Sequence, residues 1–223
     1  MLKVFSRKRI EAVLAGEAEW IACLEKKYAL PRTYLQAVLF KEMSDIDMLD
    51  LLADAAVACY WFRYGLLSRC RRALKKPPLQ SFPGGLLKKR DSSTGFGQVF
   101  AYVAIRAISF SLKKGLDRSL KDFGLPDDHP PDERNPADLC LIWRRLNRDA
   151  AFNLRMAALN LLSAAEEMTG RIDFPSYSPE EIQLIFTRYN ANARSVTAYG
   201  REVYQIYLSF CEKGGKASVR CAS

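Results

Sequence analysis

The chain has 223 residues, 49% of them hydrophobic and 26% charged, with a net charge of +9. That length suits one domain with embellishments, and the composition is that of an ordinary globular protein. No apolar run reaches the roughly 18 to 20 residues that a membrane span needs, so no membrane span is expected.

The opening, MLKVFSRKRIEAVLAGEAEW, is basic but has no apolar core and no small-residue cleavage site. Glu11, Glu17 and Glu19 stand where a secretory signal would be apolar, so the segment reads as the start of a helix. On this reading the protein is made in the cytoplasm, and any action outside it needs another delivery route. Residues 6–28 carry one amphipathic pattern through Ile10, Val13, Leu14, Ile21, Cys23 and Leu24. Pro31 marks a boundary and suits the first turn of a following helix. From Thr33 to about Leu67 the pattern is helical, with a break expected near Ser44–Asp47, because Ser and Asp favour caps over helix interiors. Tyr60, Trp61, Phe62 and Tyr64 at helical spacing read as core.

Residues 77–95 hold three prolines and three glycines, which predicts an irregular loop or small β-hairpin near 80–97. Helical character returns over 98–121. A second proline-rich loop covers 124–137, and helical stretches follow at 138–169 and 178–211. The tail from Cys211 reads as frayed. The fold class is therefore mainly α.

Six cysteines and the single histidine, His129, show no CxxC pair and no clustered spacing, so no metal or other cofactor is expected. Most of the cysteines read as small buried apolar residues, and disulfides remain open in an oxidising compartment. The positive charge favours an anionic partner: nucleic acid, an acidic membrane surface or the bacterial wall.

Four segments in chain order carry more specific information. YLQAVLFKEMSD (34–45) ends a helix on Glu42. DSSTGFGQVF (91–100) contains Ser93, Gly95, Gly97 and Gln98. NRDAAFNLRMAALNLLSAAEEMTG (147–170) places Asn153 ahead of the small residues Ala157 and Ala158. RYNANARSVTAYGREVYQIY (188–207) pairs Tyr189 with Asn190 and continues through a valine, a Tyr-Gly and a closing valine–tyrosine segment. Together they resemble the lysozyme-like superfamily, especially the lytic transglycosylases and goose-type lysozymes. Their patterns include an acid usually within Glu-Ser, a Ser-x-Gly-x-x-Gln turn, an Asn-bearing helix and a Tyr-Asn-x-Gly segment. The chain departs from these patterns where Met43 follows the acid and Asn192 replaces the glycine. Extra residues are also needed near 47–75 and 112–140. The resemblance implies a lysozyme-like helical domain over 31–211, preceded by an N-terminal helix over 1–30 and followed by a flexible tail over 212–223.

The resemblance further implies cleavage of peptidoglycan glycan strands by a muramidase or lytic transglycosylase. Glycoside cleavage needs an acid to protonate the leaving oxygen, and burial against apolar groups is the usual way to prepare one. Glu42, after Ala37, Val38, Leu39 and Phe40, is the candidate. A hydrolase also needs a second carboxylate, about 5–5.5 Å away if retaining and about 6.5–9.5 Å away if inverting. Asp45, Asp47 and Asp91 are candidates, Asp91 foremost because it opens the glycine-rich loop. It also reads as a capping or turn residue. A lytic transglycosylase needs only the single acid, which then serves as base for attack by the muramyl 6-hydroxyl. Ser93, Gly95, Gly97, Gln98, Tyr189 and Asn190 are expected to bind substrate, while Asn153 is expected to brace the loop or cap a helix.

Without a leader, such an enzyme suits a phage endolysin or an antibacterial effector acting in the periplasm or cell wall, the latter implying an immunity protein. Two alternatives remain open. One is an inactive lysozyme-like protein that binds glycan or a partner. The other is a basic helical nucleic-acid binder using RCRRALKK (69–76). No helix-turn-helix, RNA-recognition or zinc-finger pattern supports that second reading, so nucleic acid is not the expected partner.

Overall fold

The computed structural model describes residues 3–76, 91–127 and 129–220, with side chains described through residue 212. The described residues are mainly helical, and the only β pairing among them is two isolated bridges, Lys3 with Asp47 and Thr94 with Val99. The chain forms two compact units. The first comprises Met1–Val4 and Ile46–Asn153, the second Phe5–Asp45 and Leu154–Ser223.

In the second unit, α1 (Arg7–Gly16), α2 (Ala18–Tyr28) and α3 (Arg32–Asp45) follow one another. The single helix expected over 6–28 is thus two. The Ser6 side chain caps α1, and the backbone leaves helical geometry after Gly16, the residue least costly to free from a helix. Helix α3 is the centre of this unit. It packs against α1, α2 and the last helix, α9 (Ala198–Arg220). It buries Tyr34, Leu35, Ala37, Val38, Leu39, Glu42 and Met43, residues drawn from nearly all sides of the helix. Tyr34 stacks edge-on against Phe174, at 4.9 Å between ring centres, and lies 4.7 Å from Tyr207. The C-terminal part of α7 (Ala150–Thr169) and α8 (Pro179–Asn190) complete the unit. Ser178 and Glu181 form a reciprocal capping box at the start of α8.

Helices α8 and α9 touch closely at Gly200. A Cβ there would lie 2.1 Å from the Thr187 Oγ1 and 2.5 Å from the Gln183 carbonyl oxygen, so only glycine fits. The tail expected to fray from Cys211 instead continues as helix to Arg220. The Leu208–Ser209–Phe210 run carries the helical pattern into it, and no helix-terminating proline follows.

In the first unit, α4 (Met48–Ala73) begins at a capping box made by Asp47 and Asp50, in agreement with the break expected near Ser44–Asp47. Helix α5 (Ala101–Lys114) is shorter than the expected 98–121, because Gly115 adopts a left-handed conformation and closes it. A 3-10 turn at Leu120–Phe123 follows, and α6 (Pro136–Arg148) packs on α5. The stretch expected over 138–169 divides into α6 and α7 at Asp149, whose carboxylate accepts the Phe152 N–H.

Residues 77–90, which hold most of the expected loop or hairpin, lie outside the described residues. Its described end, 91–99, is a turn with one bridge. Among the described cysteines only Cys140 is buried, while Cys23, Cys59, Cys70 and Cys211 are exposed thiols on solvent-facing helix sides. The expectation of mostly buried cysteines is therefore corrected. The aromatic cluster is corrected as well: Tyr60 and Trp61 are buried, but Phe62 is 69% exposed. No helix among the described residues is long and apolar enough to cross a membrane.

Candidate active site

Glu42 lies one turn before the end of α3, where the helix is surrounded by its neighbours, and the residue is only 9% exposed. Its Oε1 accepts a hydrogen bond from the Tyr199 hydroxyl, on the first turn of α9. Thr197 orients that turn. Its Oγ1 accepts the Gly200 N–H, and its own N–H donates to the Thr187 Oγ1 at 3.1 Å. The close approach at Gly200 therefore fixes the residue beside Tyr199 against α8.

Tyr189, near the end of α8, is the second phenol of this group. Burial raises the Tyr189 phenol well above its ordinary value, and the Glu42 charge adds to the effect. Burial raises Tyr199 in the same way, with Glu42 as the next cause. Both phenols stay protonated through the neutral range and act as neutral donors rather than as charges. Asn160 on α7 donates to the Tyr189 carbonyl at 3.2 Å.

Lys41 flanks this group. Its ammonium bridges Asp45 and Glu202, each at 2.7 Å, and lies over the Tyr199 ring at 5.9 Å. Burial works to lower Lys41, but its hydrogen bonds to the two carboxylates outweigh it and leave the group raised. Asp45, one of the candidate second carboxylates, is thus committed to an ion pair at the helix end. Asp47, another, is committed to the cap of α4.

The glycine-rich turn belongs to the first unit. Gly95 has φ of 73° and Gln98 has φ of 44°, so two left-handed residues fold the segment back between Thr94 and Val99. Asn153 holds it. The Asn153 amide accepts the Gly97 N–H at 2.8 Å and donates to the carbonyls of Thr94 at 2.8 Å and Leu146 at 3.2 Å. A Cβ on Gly95 would lie 2.2 Å from that amide. The bracing expected of Asn153 is what the side chain does.

The Gln98 side chain donates to the Gly95 carbonyl at 2.9 Å and accepts from the Ser93 hydroxyl at 3.2 Å. Ser93, Gly95, Gly97 and Gln98 are thus brought into one turn, where the hydrogen bonds of their polar groups shape the turn itself.

Asp91 accepts the N–H groups of Ala101 and Tyr102, both at 3.0 Å, one on each carboxylate oxygen. It therefore caps α5, whose own N-cap position, Phe100, has no side chain for the task. Burial pushes the Asp91 carboxyl up from 3.8 to about 6, against the lowering effect of those amides, and the charge of Asp54 pushes in the same direction. Asp54, on α4, accepts from the hydroxyls of Ser92 at 2.5 Å and Thr94 at 3.1 Å. Trp143 and Asn147 on α6 complete this network through Ser92 and Thr94.

Of the expected site residues, the structure brings Glu42 together with Tyr189 in the second unit. It gathers Asp91, Ser93, Gly95, Gly97 and Gln98 in the first. Asn190 is exposed at the end of α8. Sequence reasoning assigned no role to Tyr199, although the residue stands in the Tyr-Gly of the fourth segment. It also missed Asp54, for which 38 residues of separation from Ser92 left no local signal. Among the described residues no group of three or more His, Cys, Asp or Glu is placed to hold a metal. Comparison of the chain with protein-family models, curated proteins and solved structures finds no match.

Proposed function

We propose that the chain cleaves the glycan strands of peptidoglycan, with Glu42 as general acid. The observation that carries this reading is a carboxylate almost wholly removed from water, beside two neutral phenols, at the position the family resemblance singles out. Two pairings of the four resembling segments add support. The acid-bearing helix meets the Tyr189–Tyr199 segment through the Tyr199 bond, and the glycine-rich turn meets the Asn helix through Asn153.

In the proposed reaction the Tyr199 hydroxyl holds Oε1 of Glu42 and keeps the carboxyl oriented. The Glu42 carboxyl protonates the glycosidic oxygen as the muramyl C1–O bond breaks. The carboxylate then takes the proton from the muramyl 6-hydroxyl while that oxygen bonds to C1. An anhydro end forms and the acid is restored. This single-acid course is favoured over a two-carboxylate hydrolysis because both Asp91 oxygens are occupied by backbone amides. Tyr189 and Asn190, in the same unit as Glu42, are proposed to position the sugars. The protein would act in the periplasm or wall, delivered as an injected effector with a matching immunity protein or released during phage lysis.

Mass spectrometry of the fragments released from purified sacculi tests the reaction. Anhydromuramyl ends are expected. Reducing muramic acid ends would mean hydrolysis, and fragment release undiminished in Glu42→Gln would overturn the assignment of the acid.

A further inference from the structure

Helix α4 carries apolar side chains on two sides. It buries Val57, Tyr60 and Trp61 against the rest of its unit. At about 100° per residue, Met48, Leu49, Leu52, Phe62 and Leu66 fall within an arc of about 140° on the other side. All five are exposed, from 51% for Met48 to 69% for Phe62. The stripe runs about 27 Å along the helix. Soluble surfaces seldom leave this many large apolar side chains along one helix face in water without a use for them.

The C-terminal turns of the same helix change character. Arg69, Arg71, Arg72 and Lys76, with Arg144 from α6, line a cavity of about 500 Å³ that also takes in Phe62 and Leu66. No carboxylate lines it among the described residues. The Ser68 Oγ, buried on its wall, has no hydrogen-bond partner among the described residues.

We propose that α4 docks on an anionic phospholipid surface, with its leucine stripe at the headgroup–acyl boundary and a lipid phosphate seated in the arginine-lined cavity. An apolar stripe continuous with a cationic pocket, on a chain of net charge +9, is the complement of an anionic bilayer surface. Arginine's planar fork suits phosphate oxygens. Other occupants satisfy only part of this surface. Nucleic acid would use the cations and leave the leucines in water, and a second copy would bring its own arginines against these. The contact is peripheral, and it stands apart from the reading of Glu42.

The test is sedimentation of the full chain with vesicles of phosphatidylglycerol and phosphatidylcholine, compared with phosphatidylcholine alone. Partitioning onto the anionic vesicles is expected, at least about 10-fold stronger than onto neutral ones. Leu52→Glu with Leu66→Glu, both at exposed positions and checked for fold by circular dichroism, is expected to abolish it. Arg72→Gln with Arg144→Gln is expected to weaken it about 10- to 30-fold. The proposal is overturned if the protein ignores anionic vesicles or binds both kinds equally. It is also overturned if the leucine variant binds undiminished, with duplex DNA or inorganic pyrophosphate as effective competitors. Conversion of a solution dimer to monomer by the leucine variant, with no vesicle binding in the wild type, would assign the stripe to self-association instead.

Discussion

Tyr199 presents a neutral hydroxyl to Glu42, because burial and the neighbouring carboxylate both oppose its ionisation. Tyr199→Phe removes that donor with little change in volume. It is expected to lower kcat by about 10- to 100-fold with a much smaller effect on KM, since the lost bond orients the reacting group. Steady-state rates on soluble glycan fragments check this, and an unchanged kcat would detach Tyr199 from the chemistry. Asp91 gives a prediction about stability. Its carboxyl titrates near 6 in the folded protein against 3.8 as its ordinary value. The folded state therefore holds that proton more tightly than the unfolded state does. The associated stability is fully present below about 3.8 and is lost as pH rises through about 6, by at most about 3 kcal/mol. Urea midpoints measured across this range are expected to fall with rising pH, and Asp91→Asn is expected to flatten the slope. Glu42 stood out in the sequence because it closes an apolar helical run and the other resembling segments follow it in order. Tyr199 and Asp54 were not, since their importance rests on partners 157 and 38 residues away.

At the scale of elements, two glycines set how closely segments approach. Gly95 has a positive φ and sits against the Asn153 amide, so Gly95→Ala adds both backbone strain and a clash. A loss of at least about 2 kcal/mol is expected in chemical denaturation. Gly200→Ala would push α9 from α8 at Thr187 and shift the adjacent Tyr199. Its expected signature is a fall in activity exceeding that explained by lost stability, and equal effects on both would contradict the positioning account. The break before α4 was legible because Asp47 and Asp50 are a capping pair that advertises itself locally. The break at Gly16 was not, because the apolar period continues across it and one glycine is a weak stop signal. The turn at 95–98 was legible from its glycines, while the left-handed conformation of Gln98 depends on the bonds that hold it.

Across the whole molecule, the mainly α class follows from periodicity and holds. The division into two units did not follow from it. The first unit takes in the N-terminal residues 1–4, and the second gathers residues 5–45 with everything after 153, so neither is a contiguous stretch of sequence. The same limit explains Phe62. Helical spacing placed it with Tyr60 and Trp61, but its position about 160° from Tyr60 and about 100° from Trp61 on the wheel turns it to solvent. The central claim is that Glu42 is the acid of a glycan-cleaving site, and the most direct test is the rate of fragment release from purified sacculi by wild type and Glu42→Gln. The account predicts steady release by the wild type and at least about a 1000-fold loss in Glu42→Gln, with the circular dichroism spectrum unchanged. No release by the folded wild type, or equal release by both proteins, would contradict it.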